Sequence, residues 1–216
     1  MTTKHMISLR TCGLCALIST IIFFICIGVS IWLTPWFSWT DHFLSEIAGS
    51  FEDTSVWAAR GITSIIFNSG LILAGLIGIL FVILIKKTKL FQTSIGSIGI
   101  FVLFVDMSAL CGVGIFPITY SQMHCFFSVV LFCLIPICLF IIAHEIGKLY
   151  GKRWWIIVNL ISIISLCVCC LFLFTPHLSS YNKAIGEMVM LCSLYLTFVI
   201  LGIKLVNTKS IVNLKG

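Results

Sequence analysis

Six stretches of this chain are too long and too apolar to be the core of a soluble domain, and they dictate what it can fold into. They run approximately over 12–34, 59–85, 91–116, 123–146, 154–175 and 185–206. A helix that crosses the hydrocarbon of a bilayer needs about 20 predominantly apolar residues. Within hydrocarbon every backbone N–H and C=O must be satisfied inside the segment, which a helix does unaided. Composition agrees: 60% of the residues are hydrophobic and 9% charged, against about 45–50% and about 25% in soluble domains. The expected architecture is all-α, a single membrane domain over 1–216 built as a bundle of six transmembrane helices. The first run is longer than the roughly 7–15 residues of a signal-peptide core and ends in Pro35-Trp36 rather than a small-residue cleavage site, so it is expected to stay as a span.

Charge sets the expected orientation. Lys4 and Arg10 precede the first span, Lys86, Lys87 and Lys89 separate the second from the third, Lys148, Lys152 and Arg153 separate the fourth from the fifth, and Lys204, Lys209 and Lys215 follow the sixth. Only Arg60 and Lys183 fall on the opposite side, so the positive-inside rule places both termini in the cytoplasm. Trp154-Trp155 beside Lys152-Arg153 has the form of an interfacial anchor. The net charge of +6 is thereby explained by topology, and nucleic acid is not an expected partner. The eleven cysteines fall in apolar runs, apart from Cys125 at a helix start, and read as small lipid-compatible side chains rather than a disulfide framework.

The connections are short except the first external one, from about Pro35 to Trp57. There Thr40 or Asp41 is expected to cap a short helix ending near Gly49, with Phe43, Leu44 and Ile47 on one face. That pattern fits an amphipathic helix lying at the outer surface, or a lid over a cavity among the helices. Pro117 and Pro176 are expected to close the helices before them.

Polar side chains inside the runs are the candidates for function, because an ionisable group near the bilayer centre costs roughly 3 kcal/mol on insertion scales. Asp106 lies close to the midplane, and burial there favours its neutral form unless a cation is near. Asn68 shares a helix face with Ser64 one turn away. Gly70, Ala74 and Gly78 make a small-residue stripe suited to close helix packing. His124 and Glu187 begin the fourth and sixth spans on the outer side. With Ser45 and Glu46 of the first loop, these residues gather in the external half, and Ser45, Glu46, Asn68, Asp106, His124 and Glu187 form the candidate outward-facing pocket. His144-Glu145, at the other end of the fourth span, reads as a solvated helix end. His42, His124, His177, Glu46 and Glu187 lack the close spacing of metal ligands, so no metal or other cofactor is expected. A hydrolase built on Ser45, His124 and Asp106 would lack the Gly-x-Ser-x-Gly elbow.

Ser45-Glu46-Ile47-Ala48-Gly49, followed by Ile66-Phe67-Asn68-Ser69-Gly70-Leu71-Ile72, then Gly112-Val113-Gly114-Ile115-Phe116-Pro117 with His124, and finally Glu187, together resemble the membrane family catalogued as domain of unknown function 998. The resemblance covers about residues 12–206 and implies a six-helix bundle, commonly in archaeal or bacterial plasma membranes, with no established activity. A more distant likeness, to eukaryotic lipid-remodelling membrane proteins with an external serine motif and an outer histidine, points towards lipids. The expected function is therefore binding or modification of a lipid headgroup, with membrane lipids as partners. The alternatives are a small carrier or proton-coupled exchanger that titrates Asp106, and a structural or partner-binding bundle. Self-association and the identity of any small-molecule ligand stay open.

Overall fold

Apolar runs without a soluble-helix pattern become helices because the bilayer leaves them no other way to pair their backbones. A computed structural model describes residues 3–49, 57–91, 93–174 and 183–207, with side chains from 9–49, 61–91, 93–174 and 183–207. Its long helices are α1 (Thr3–Trp32), α2 (Trp57–Thr88), α3 (Ser94–Ile115), α4 (Ser121–Tyr150), α5 (Lys152–Phe174) and α6 (Lys183–Val206). All six are long and apolar enough to cross a membrane, and no strand occurs among the described residues. The shortest, α3, has 22 residues and spans roughly 33 Å at about 1.5 Å per residue, enough for the hydrocarbon core.

The helix ends follow local chemistry. Thr93 caps α3, its Oγ1 accepting from the Gly96 N–H at 2.8 Å. Pro117 follows directly on the end of α3. Gly151 (φ 92°) turns the chain between α4 and α5, a left-handed conformation that glycine adopts without steric cost. Thr175 to Asn182, including Pro176 and His177, lie outside the described residues, as do Glu52 and Asp53.

Each helix packs on its successor, and α6 closes the ring against α1 while also reaching across to α4. The loosest seam in this ring is between α5 and α6. Small residues set the close approaches. A Cβ on Gly13 would stand 2.6 Å from the carbonyl oxygen of Gly202, so α1 and α6 meet backbone to backbone. The Gly70-Ala74-Gly78 stripe serves two neighbours rather than one. Gly70 lies against Cys26 of α1, the Ala74 carbonyl accepts from Ser19 of α1 at 2.8 Å, and Gly78 lies against Met107 of α3. All eleven cysteines are free thiols; Cys12 and Cys111 donate to the carbonyls of Phe81 and Ile72 on α2.

Glu145 departs from the expectation of a solvated helix end. His144 is exposed, but Glu145 is buried. Its carboxylate accepts from Thr93 Oγ1, packs on Gly96 and lies 3.8 Å from the Lys148 ammonium. It thus sits at the N-terminus of α3, where unsatisfied N–H groups and the helix dipole favour a negative charge. At the same end of the bundle Lys204 stands over the Trp154 ring at 4.2 Å and the Tyr150 ring at 5.6 Å, joining α6 to the α4–α5 turn through cation–π attraction.

The loop between α1 and α2 also differs from expectation. Its helix is a single 3₁₀ stretch, Leu44–Ala48, that begins after Phe43 rather than at Thr40 or Asp41. Asp41 instead accepts from the hydroxyls of Ser38 and Thr40, and these hydrogen bonds hold its carboxyl below the usual range. Leu44, Ser45, Ile47 and Ala48 are all buried. Five residues with four buried make a plug set into the bundle end, not an amphipathic face resting on a surface.

Candidate functional site

The 3₁₀ helix is held down by a carboxylate from the far end of the chain. Glu187, in the second turn of α6 and buried, accepts the Leu44 N–H at 2.7 Å through Oε2. The first N–H groups of a helix have no partner within it, so Leu44 offers a donor and Glu187 takes it. Glu46 serves the same turn locally, its Oε1 accepting the Phe43 N–H at 3.0 Å. One carboxylate therefore caps the turn and the other docks it onto α6.

Beneath this plug lies a cavity of about 30 Å³ whose polar lining is Ser45, His124, Ser128 and Glu187. Its remaining wall is apolar and includes Phe67 and Leu71 of α2, Leu110 and Val113 of α3, and Phe132 of α4. His124 is oriented by the turn before it. Pro117 stops α3, and the Tyr120 N–H is used by the Pro117 carbonyl, which leaves the Phe116 carbonyl to the His124 ring at 2.8 Å. A carbonyl only accepts, so Nδ1 carries the proton and Nε2 is the nitrogen left for a ligand. This gives the Gly-Ile-Phe-Pro to His124 spacing a physical meaning: the stop, the bare carbonyl and the imidazole are one unit.

A second space adjoins the first. A groove of about 230 Å³ lies between α4, α5 and α6. It shares Ser128, Phe132 and Glu187 with the polar cavity and is otherwise lined by apolar residues such as Val129, Phe172 and Met190. Phe43 also lines it, and the Lys183 ammonium stands 5.0 Å over that ring. Pro136, inside α4, has no N–H, so the Phe132 carbonyl one turn earlier loses its helical donor. Phe132 is thus a shared wall residue with an acceptor to spare.

The six candidate residues do not all converge. Ser45, His124 and Glu187 line the cavity. Glu46 caps its own turn. Asn68 donates to Ser64 within α2 at 3.2 Å, while its neighbour Phe67 supplies the wall. Asp106 is fully buried and neither carboxylate oxygen has a hydrogen-bond partner. Leu110 and Val113, one and two turns further along α3, line the cavity, which puts Asp106 roughly 6 Å deeper than Leu110. Cys138 of α4 and Tyr195 of α6 lie close enough to be electrostatically coupled to it. Ser128 was not among the candidates, although it stands one turn after His124 and helical spacing alone puts the two on one face. Among the described residues no three His, Cys, Asp or Glu side chains come together as a metal site; His177 lies outside them. What the cavity offers is a hydroxyl pair, an imidazole nitrogen and a carboxylate around a space for about one water-sized group.

Residues 17–204 match the family model described as a protein of unknown function (DUF998). No curated protein and no solved structure matches the chain.

Proposed function

This chain belongs to the DUF998 family, and we propose that it binds a membrane lipid at the 3₁₀ end of the bundle, with the lipid's polar linkage in the Ser45–His124–Glu187 cavity and an acyl chain in the α4–α6 groove. The observation that carries the reading is the shared wall: Ser128, Phe132 and Glu187 line both the polar cavity and the apolar groove. An amphipathic ligand matches that pair of spaces, whereas a wholly polar solute would leave the groove unused. Size refines the assignment. About 30 Å³ holds a hydroxyl or carbonyl oxygen, not a whole headgroup. The headgroup proper then stays at the surface beside Lys183, about one turn above Glu187. The positive-inside rule favours this end facing away from the cytoplasm, with both termini inside, which in a plasma membrane makes the ligand a lipid of the outer leaflet.

The test is native mass spectrometry of the purified protein with a variant in each space. Val129→Trp fills the groove and His124→Gln removes the imidazole. Wild type is expected to retain a lipid that both variants lose at unchanged thermal stability. A wild-type protein free of lipid, or variants that keep it at full occupancy, would overturn the reading.

A carrier that titrates Asp106 is the second reading. It is favoured by the complete burial and missing partners of that carboxyl. It requires proton-coupled flux in proteoliposomes that disappears in Asp106→Asn.

A further inference from the structure

At the other end of the molecule the α2–α3 hairpin holds a second amphipathic space. Towards the 3₁₀ end the two helices are pinched together. A Cβ on Gly75 would stand 2.9 Å from the Met107 carbonyl oxygen, and one on Gly78 would stand 2.4 Å from Met107 Sδ. Past that pinch a groove of about 700 Å³ opens between them, within the roughly 300–1,000 Å³ typical of ligand sites.

The groove is graded in polarity. Lys86, Lys89 and Ser97 stand towards the hairpin turn, and Ile83, Phe101 and Phe104 form the wall further along. That wall is open to the surroundings, with Ile83 40%, Phe101 66% and Phe104 41% exposed. From Ser94, where α3 starts, to Phe104 the helix rises roughly 15 Å, about half the hydrocarbon thickness. The groove is thus as deep as one leaflet. Lys89 has φ 51°, the left-handed position after a helix that glycine usually fills. A lysine there puts a cation on the groove where a glycine would suit the backbone better. Among the described residues, neither Lys86 nor Lys89 forms an ion pair with a carboxylate.

We propose that this groove is the binding site for one anionic phospholipid of the leaflet at the lysine-rich end. Its phosphate sits against Lys86, Lys89 and Ser97, and one acyl chain lies along Phe101 and Phe104. Charge complementarity selects the headgroup, because two lysines without a facing carboxylate favour a net negative charge over a zwitterion. The apolar wall of one-leaflet depth selects a lipid over a free phosphate, which has nothing to place there. This site is independent of the one beneath the 3₁₀ helix and lies at the opposite end of the bundle.

The experiment titrates purified full-length protein in detergent with dioleoylphosphatidylglycerol or dioleoylphosphatidylcholine and reads bound lipid by native mass spectrometry. Wild type is expected to take up one phosphatidylglycerol at concentrations where phosphatidylcholine does not bind. The Lys86→Gln/Lys89→Gln double variant should weaken that binding roughly 10- to 30-fold. Lys87→Gln removes one positive charge from the neighbouring residue, outside the groove lining, and should bind like wild type. Ser97→Trp, which blocks the groove without changing charge, should also abolish the bound lipid, and Val129→Trp should leave it in place. Equal uptake of the two lipids, or a loss in Lys87→Gln as large as in the double variant, would overturn the proposal. Displacement of phosphatidylglycerol by excess inorganic phosphate would overturn the choice of a lipid as occupant.

Discussion

Asp106 is the residue whose presence is hardest to explain by stability. It is fully buried, and both carboxylate oxygens lack a partner. Leaving a buried polar group unsatisfied costs about 1–3 kcal/mol, more if it is charged. The groups electrostatically coupled to it, Cys138 and Tyr195, supply no cation. Replacement by an aliphatic residue of similar breadth is therefore expected to stabilise the bundle. Asp106→Val should raise the thermal midpoint in detergent, followed by tryptophan fluorescence, by an amount equivalent to about 1–3 kcal/mol. A lowered midpoint would mean that the carboxyl is satisfied by water or an ion and contributes to the fold. Glu145 shows the opposite balance, since Thr93, Gly96 and Lys148 all surround its carboxylate. Both acids are buried in apolar runs, and only their partners tell them apart. Sequence spacing singled out Asp106 but missed Glu145, because Thr93 and Gly96 lie about fifty residues away on another helix.

At the level of the helices, close approach is set by glycine, and its consequences are local. Gly13→Ala places a Cβ 2.6 Å from the Gly202 carbonyl oxygen, a backbone atom that cannot swing aside. Overpacking of this kind costs about 1–3 kcal/mol, and the α1–α6 seam that closes the ring should loosen. Gly28→Ala meets nothing within 4 Å and should be neutral or stabilising by up to about 1 kcal/mol, the helix-propensity difference. Chemical unfolding of the two variants in parallel checks both signs; equal effects would mean that the α1–α6 contact is not tight in the folded protein. The contrast also shows what was legible beforehand. That six helices exist follows from apolar length, and Pro117 marks the stop of α3, because hydrocarbon permits little else; the outer bounds do not follow, since α1 begins at Thr3 and α4 runs to Tyr150, beyond their apolar runs. How each helix is rotated does not follow. Lipid outside is as apolar as the packed interior, so no polar face marks the inward side. Ser45, His124 and Glu187 stood out as polar residues near helix ends and do share a cavity. Asn68 and Glu46 stood out equally, yet their partners lie within their own elements.

On the scale of the whole molecule, the two ends of the bundle are chemically unlike. One end carries the 3₁₀ plug, the polar cavity beneath it and Lys183. The other carries Lys86, Lys87, Lys89, Lys148, Lys152, Arg153 and Lys204, which come together there because the helices alternate in direction along the chain. Such a gradient is what the positive-inside rule reads, and the rule predicts that the lysine-rich end faces the cytoplasm. The rule acts during insertion, through the cost of carrying basic loops across, so the predicted orientation rests on the charge at the two ends and not on the packing. Two exposed positions make this testable, Asp41 on the loop before the 3₁₀ helix and Lys148 at the opposite end. In intact cells a membrane-impermeant maleimide should label Asp41→Cys and leave Lys148→Cys untouched until the cells are permeabilised. Wild type is the control for Cys125 and Cys167, the two native thiols exposed on the bundle. The reverse pattern would invert the topology, and the proposed lipid beneath the 3₁₀ helix would then come from the cytoplasmic leaflet. The anionic site at Lys86 and Lys89 would face outward. Equal labelling at both positions would indicate a mixed population, which the seven basic residues named above at one end, against Lys183 at the other, make the least expected result.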